Sequence, residues 1–249
     1  MRHKLYYITT TMSDITIDLS KKYYKVTNEK ECHYGFQYKD GLNVLIEPFL
    51  LTKQWGDLSG FYFTTIDHIN QFYRYGIYLR EVILPADDPE LKVVKHGIFY
   101  RANKVILGKK YSLLDITTYH DLGLDAASDS RAIDYASEHG LIDVLNKWKS
   151  SGLELKYSNR AIDLASEKGC VEVLDWWKYS ELELIYSNYA IDLASEYGHI
   201  EVLNWWKSSG LELKYSEHAI DCASAYGHIE VLNWWKSLEL ELKYSNKIC

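Results

Sequence analysis

A 29-residue unit is written four times through the second half of the chain, and no other feature limits the fold as tightly. Ala-Ile-Asp opens each copy at Ala132, Ala161, Ala190 and Ala219. Gly140, Gly169, Gly198 and Gly227 keep the same step, as do Trp148, Trp177, Trp206 and Trp235. Tyr157, Tyr186, Tyr215 and Tyr244 form a fourth ladder in that register. A fixed period of this size implies stacked supersecondary units, each burying its apolar face against its neighbours. Such arrays commonly present a binding surface, so recognition rather than chemistry is the first expectation.

In the third copy, Ala190, Ile191, Ala194 and Leu193 lay an apolar stripe along a short helix. Gly198 can take positive φ and end it. Ile200, Val202, Leu203, Trp205 and Trp206 give a second helix that is apolar on more than one side and must be sandwiched between units. The stretch from Gly210 to Ser216 returns the chain to the next copy.

The run Leu193-Ala194-Ser195-Glu196-Tyr197-Gly198-His199-Ile200-Glu201-Val202-Leu203 resembles the core of an ankyrin repeat. Ala190-Ile191-Asp192 stands where that family has Pro-Leu-His, and Trp205-Trp206 replaces two leucines. The unit is shorter than the family's, and no copy has the Asp-Gly of the family's hairpin tip. The resemblance therefore implies stunted hairpin fingers. It also leaves Asp134, Asp163, Asp192 and Asp221 to cap or back-bond nearby amides in place of the family's histidine. The short unit, the Ala-Ile-Asp opening and the Trp-Trp pairs further resemble ankyrin-repeat paralogues of giant viruses that infect amoebae.

The expected fold is thus an α+β N-terminal domain followed by an all-α ankyrin-like repeat solenoid of 29-residue helix-turn-helix units. Residues 1–111 form the α+β leader domain. Residues 112–129 form an N-terminal capping half-repeat, with Ser112-Leu113-Leu114-Asp115 resembling a capping box. The copies run 130–158, 159–187, 188–216 and 217–245, with a truncated fifth from 246 to 249. With no polar cap after that stub, the face around Trp234 and Trp235 is expected to be partly exposed and the last unit sticky.

Composition narrows the function. Residues 130–245 carry 11 Lys+Arg against 19 Asp+Glu, a charge of −8 within a total of −7. An acidic array repels a phosphate backbone, so nucleic acid is an unexpected partner. Cys32, Cys170, Cys222 and Cys249 form no C-x-x-C pair, which reads as a reducing compartment without structural disulfides or zinc. No apolar run approaches a membrane span, and the start Met-Arg-His-Lys-Leu-Tyr-Tyr lacks a signal peptide's apolar core. Met12 is an alternative start. The expected location is intracellular, in the host cytoplasm.

In the leader domain, 22–27, 60–64, 77–84, 92–95 and 103–107 read as strands, and 65–73 as an amphipathic helix ended by Gly76. His33, Tyr62, Tyr78 and Glu81 are the only ingredients of an enzyme, and together they are vaguely like an ADP-ribosyltransferase set. No spacing supports that reading, and Arg80 with Glu81 reads more simply as a solvated strand face. No catalytic residue, metal ligand or cofactor is expected. His199 and His228, just past the turn glycines, read as structural bridges between copies.

If the array binds a protein, contacts should lie where copies differ over a fixed core. One such row precedes Ala-Ile-Asp: Arg131, Arg160, Tyr189 and His218. A second precedes the turn glycine: His139, Lys168, Tyr197 and Tyr226. In ankyrin repeats the equivalent positions face the concave surface, and Tyr and Arg are frequent hot spots. The leading expectation is a non-enzymatic viral adaptor for a host protein. The alternatives are an enzyme in the leader domain targeted by the repeats, or a decayed paralogue.

Overall fold

The computed structural model describes residues 17–51 and 59–238. Met1, Met12 and the truncated fifth copy lie outside that range. The chain divides into two compact units, 1–125 and 126–249. That boundary falls inside the segment expected to be the half-repeat.

Unit 1 is built on β1 (Tyr23–Thr27), β2 (Cys32–His33), β3 (Phe36–Gln37), β4 (Gly41–Val44), β5 (Phe61–Thr65), β6 (Tyr78–Ile83), β7 (Val93–His96), β8 (Phe99–Ala102) and β9 (Lys104–Ser112). Seven of them make one antiparallel sheet in the order β4-β9-β6-β1-β5-β8-β7, and β2 and β3 form a separate hairpin. Tyr23, Phe61, Phe63, Val82, Val93, Tyr100, Val105 and Leu107 pack as its core. Tyrosine and phenylalanine serve here because ring edges meet ring faces, as in the T-shaped pair of Tyr23 and Phe63 at 5.5 Å.

The five expected strands are present. The expected helix is present as a 3₁₀ helix, Ile66–Tyr75, with Ile69 and Tyr73 buried. It stops at Gly76, where any Cβ would collide with the backbone of Thr27. Strand β4, which was not read from the sequence, has a physical reason for its silence. On edge strand β4 the apolar Leu42 and Val44 are exposed and Asn43 is buried, which inverts the usual pattern. Asn43 earns that place by donating Nδ2 to the carbonyls of Lys39 (2.8 Å) and Gly41 (2.9 Å).

Arg80 overturns one expectation: it is buried, not part of a solvated face. Its guanidinium meets Glu31 at 3.0 Å and the carboxylate of Asp40. Lys25 lies opposite Arg80 in the β1–β6 register. It is also buried, with Nζ donating to the Tyr62 carbonyl at 3.3 Å and lying 4.8 Å from the centre of the Tyr38 ring. Burial pulls its pKa down to about 7. An unfolded lysine titrates near ~10.4, so between about pH 7 and pH 10 the unfolded chain holds the extra proton and stability rises with pH. Below about pH 7 the full cost of the buried charge is present. Lys25→Met should therefore stabilise unit 1 by about 1–3 kcal/mol at pH 6, with the gain shrinking by pH 9. Urea melts of parent and variant at both pH values check this. A pH-independent difference would show that Lys25 does not titrate as argued.

Helix α1 (Ile116–Leu122) closes unit 1. Its cap is Asp115, whose side chain accepts from the Thr117 amide at 3.1 Å. Ser112, the expected cap, accepts instead from Leu114 N at 3.2 Å in the turn before the helix. Asp115 wins because it stands directly before the first helical residue, where a side-chain oxygen reaches the second amide.

Unit 2 consists of helix pairs at the 29-residue step. The first helices are α2 (Arg131–Glu138), α4 (Arg160–Glu167), α6 (Tyr189–Glu196) and α8 (His218–Ala225). The second are α3 (Ile142–Ser150), α5 (Val171–Tyr179), α7 (Ile200–Ser209) and α9 (Ile229–Lys236). First helices stack on first helices, and second on second. Between the two helices of a pair, the residue after the glycine donates its amide back to the first helix, as His199 N does to Ala194 O at 2.8 Å. Gly198, at φ +75°, is doubly required there, because a Cβ would lie 2.7 Å from the His228 ring. His228 thus packs over the preceding copy's turn, the structural bridge its position implied.

Three side-chain ladders lock each copy to the next. The buried indole N–H of Trp177, Trp206 and Trp235 donates to Ser137, Ser166 and Ser195 on the preceding first helix, at 3.0, 3.2 and 3.1 Å. Trp176, Trp205 and Trp234 donate to Asn146, Asp175 and Asn204 on the preceding second helix, at 2.8, 2.7 and 3.0 Å. Buried Asp134, Asp163 and Asp192 each accept the amide and the hydroxyl of Ser158, Ser187 and Ser216, within 2.6–2.9 Å. The aspartates therefore reach 24 residues forward to fix the entry of the next first helix, rather than capping their own.

The expected exposure of the last tryptophans is not found: Trp234 is 7% and Trp235 1% exposed. Each indole donates its N–H to the preceding copy, to Asn204 and Ser195, which covers that side of the ring. Among the described residues of the fourth copy, the large apolar side chains left open are Ile229, at 69%, and Tyr226, at 65%.

Candidate interaction surface

The helical period decides which residues share a face. Positions 131, 135, 138 and 139 of the first helix recur at i, i+4, i+7 and i+8 and point to one side. The buried side is made of Ala132, Ile133 and Ala136 and their equivalents. The two rows read from the sequence thus belong to one exposed face. They lie at its opposite ends, roughly 12 Å apart for eight residues at 1.5 Å each.

Tyr189, Tyr197 and Tyr226 are each more than half exposed. Arg160 is exposed as well. Arg131 is not a mobile contact: its Nε and Nη2 donate to Asp129 at 3.0 and 3.1 Å. The His139 ring stacks on Tyr135 at 3.9 Å between centres. Lys168 Nζ lies 2.8 Å from Glu167. His218 Nε2 lies 2.9 Å from Glu196, across two copies.

Between the two rows runs a third, half-buried one: Tyr135, Leu164, Leu193 and, more deeply, Cys222. Leu193 was expected in the apolar stripe of the core, but it stands half-buried in the middle of the open face. The signal was available, because this position also differs between copies while its neighbours do not. The face mixes aromatic and aliphatic groups with Arg131, Arg160, Lys168, His139 and His218, and carries Glu138, Glu167 and Glu196 along it.

The enzyme ingredients of unit 1 do not converge. Tyr78 and Glu81 are three apart on β6, so they leave opposite faces of the sheet. Tyr62 shares the face of Glu81, since both lie in register with the side of Tyr24. His33 sits on the separate hairpin, with Nε2 3.0 Å from the carbonyl of Tyr75. Burial lowers the pKa of that imidazole.

A β-sheet unit followed by interlocked helix pairs defines a helical-repeat protein with a β-rich leader. No family model matches the chain. It is 41% identical over 138 residues to "Uncharacterized protein R869" of Acanthamoeba polyphaga mimivirus, covering 96% of that protein and 51% of this chain. It is 39% identical over 131 residues to R868 of the same virus, named "Putative ankyrin repeat protein", covering 65% of it and 51% of this chain. A third relative of that name, R896, is 32% identical over 145 residues, with 43% of it and 55% of this chain covered. The chain belongs to the ankyrin-repeat paralogue family of giant viruses that infect amoebae. It spans about two thirds of R868 and less than half of R896. Among the described residues no helix is long and apolar enough to cross a membrane.

Proposed function

We propose that the helix pairs form an ankyrin-like solenoid that acts as a non-enzymatic protein-interaction module, an adaptor that holds a protein of the infected host. One observation carries this reading: the interior is the same in every copy while the exposed first-helix face differs. Ala, Ile, Ala and Trp recur unchanged beneath positions that read Arg, Arg, Tyr, His and His, Lys, Tyr, Tyr. A face that only kept the array dissolved would have no need of three tyrosines more than half exposed. The preformed helices lose little freedom on association, which favours binding without a cofactor. The acidic charge directs the reading to protein rather than nucleic acid. On this reading the chain works in the host cytoplasm.

The test replaces Arg160, Tyr189, Tyr197 and Tyr226 together by alanine in the full chain. Circular dichroism and melting should be almost unchanged, since the four side chains are exposed. Capture of a specific protein from amoeba lysate should weaken by at least about 30-fold, the equivalent of one hot spot of ~2 kcal/mol. Undiminished capture by the folded variant would remove the first-helix face from the account. Capture that depends on unit 1 would move the activity there.

A further inference from the structure

We infer that Glu196, His218 and Cys222 form a binding site for one borderline-soft divalent cation, of the zinc class, at the junction of the third and fourth copies. The site goes beyond the proposed protein-binding role and does not depend on it. Its three donors come from two elements: Glu196 from the end of α6, and His218 and Cys222 from one face of α8, one helical turn apart. One ligand atom from each lies within 4.8 Å of the others. The imidazole Nε2 is 2.9 Å from a Glu196 oxygen and 3.6 Å from the Cys222 sulfur. Metal bonds of about 2.0–2.3 Å at near-tetrahedral angles place such donors roughly 3.2–3.7 Å apart. The His218–Cys222 edge falls in that range, and the other two, at 2.9 Å and at no more than 4.8 Å, need the Glu196 side chain to rotate to complete the ligand triangle.

The donor types agree with the geometry. Thiolate, imidazole and carboxylate together select zinc-like ions over magnesium or calcium, which take oxygen alone. A thiolate and a carboxylate balance the two charges of the ion, and the imidazole binds neutral. Binding converts the Cys222 thiol to a metal thiolate and releases its proton to solvent. Cys222 is buried, while Glu196 and His218 are 17% and 47% exposed on their side chains, so an ion can enter from the open face. Three protein donors leave a fourth position for water.

The comparison between copies isolates the site. The positions of His218 and Cys222 hold Arg131 and Tyr135, Arg160 and Leu164, and Tyr189 and Leu193 in the other copies. None of those pairs offers a soft donor, although Glu138 and Glu167 stand where Glu196 does. The fourth copy alone carries both substitutions, next to the third copy's glutamate.

The full chain, reduced and freed of metal, is titrated with Co²⁺ and then Zn²⁺. The expected result is one equivalent bound, with a cobalt–thiolate charge-transfer band that Zn²⁺ abolishes. Cys222→Leu and His218→Tyr install the residues of the third copy and should fold. Each should remove the band, while Cys170→Leu, which installs the residue of the first copy, should leave it. Glu196→Gln should weaken binding by at least about tenfold. Absence of a thiolate band in the parent, or a band that survives Cys222→Leu, would overturn the site. Survival in His218→Tyr would do the same without relying on the cysteine variant.

Discussion

Replacing Trp206 by alanine should cost about 3–5 kcal/mol, whereas the same change at adjacent Trp205 should cost about 1–2 kcal/mol. Trp206 is fully buried. Its ring packs 4.7 Å from Tyr186 and 5.1 Å from Trp205, and its N–H is held by Ser166. Truncation opens a cavity between two copies whose walls are themselves fixed by the ladders, so little of it can collapse. Trp205 is half-buried and loses chiefly its bond to Asp175. Urea denaturation followed by circular dichroism compares the two. In a stack held only by neighbour contacts, the Trp206 variant should also split the transition, because the second and third copies are uncoupled. Equal costs at both positions would contradict the assignment of interior and exterior indoles.

Asp192→Ala should destabilise the junction of the third and fourth copies by about 2–4 kcal/mol, because three donors lose a shared acceptor. These are Ser216 N at 2.8 Å, Ser216 Oγ at 2.6 Å and Asn188 Nδ2 at 2.7 Å. The amide at Ser216 sets the entry of α8, so hydrogen exchange should quicken through 216–225 while 131–150 stays protected. Asp192→Asn, which keeps one carbonyl acceptor, should cost about 1 kcal/mol. An alanine variant within about 0.5 kcal/mol of the parent would mean that water replaces the carboxylate and that the ladder does not hold the copies in register. At the other end of the ladder, Asp134 has its pKa raised by desolvation, against the lowering effect of its serine bonds.

Much of this was legible in the sequence where periodicity carried it. The helix pairs follow from the 29-residue step, and even the roles of the two tryptophans were readable. The first copy has Lys147 at the outer position and Trp148 at the inner one, and an unpaired lysine is rarely buried, which marks the outer position as the one solvent reaches. The middle row of the open face was readable by the same comparison of copies, but Leu193 resembles core when taken from one copy alone. Single-strand reasoning failed in unit 1 for a different reason. Arg80 lies between Leu79 and Glu81 on a strand and looks solvated. Its burial depends on Glu31 and Asp40, 49 and 40 residues away in the chain, which no local pattern announces. The Glu196, His218 and Cys222 cluster was half visible: His218 and Cys222 stand four apart, but the third donor comes from the preceding copy, and only stacking brings it near.

The most direct test is hydrogen exchange of the full chain with and without its captured partner. Added protection should fall on the first helices, 160–168, 189–197 and 218–226, and leave the sheet of β1, β5 and β6 unchanged. Protection concentrated on that sheet, with the first helices unaffected, would contradict the claim that the variable face of the repeats is the binding surface.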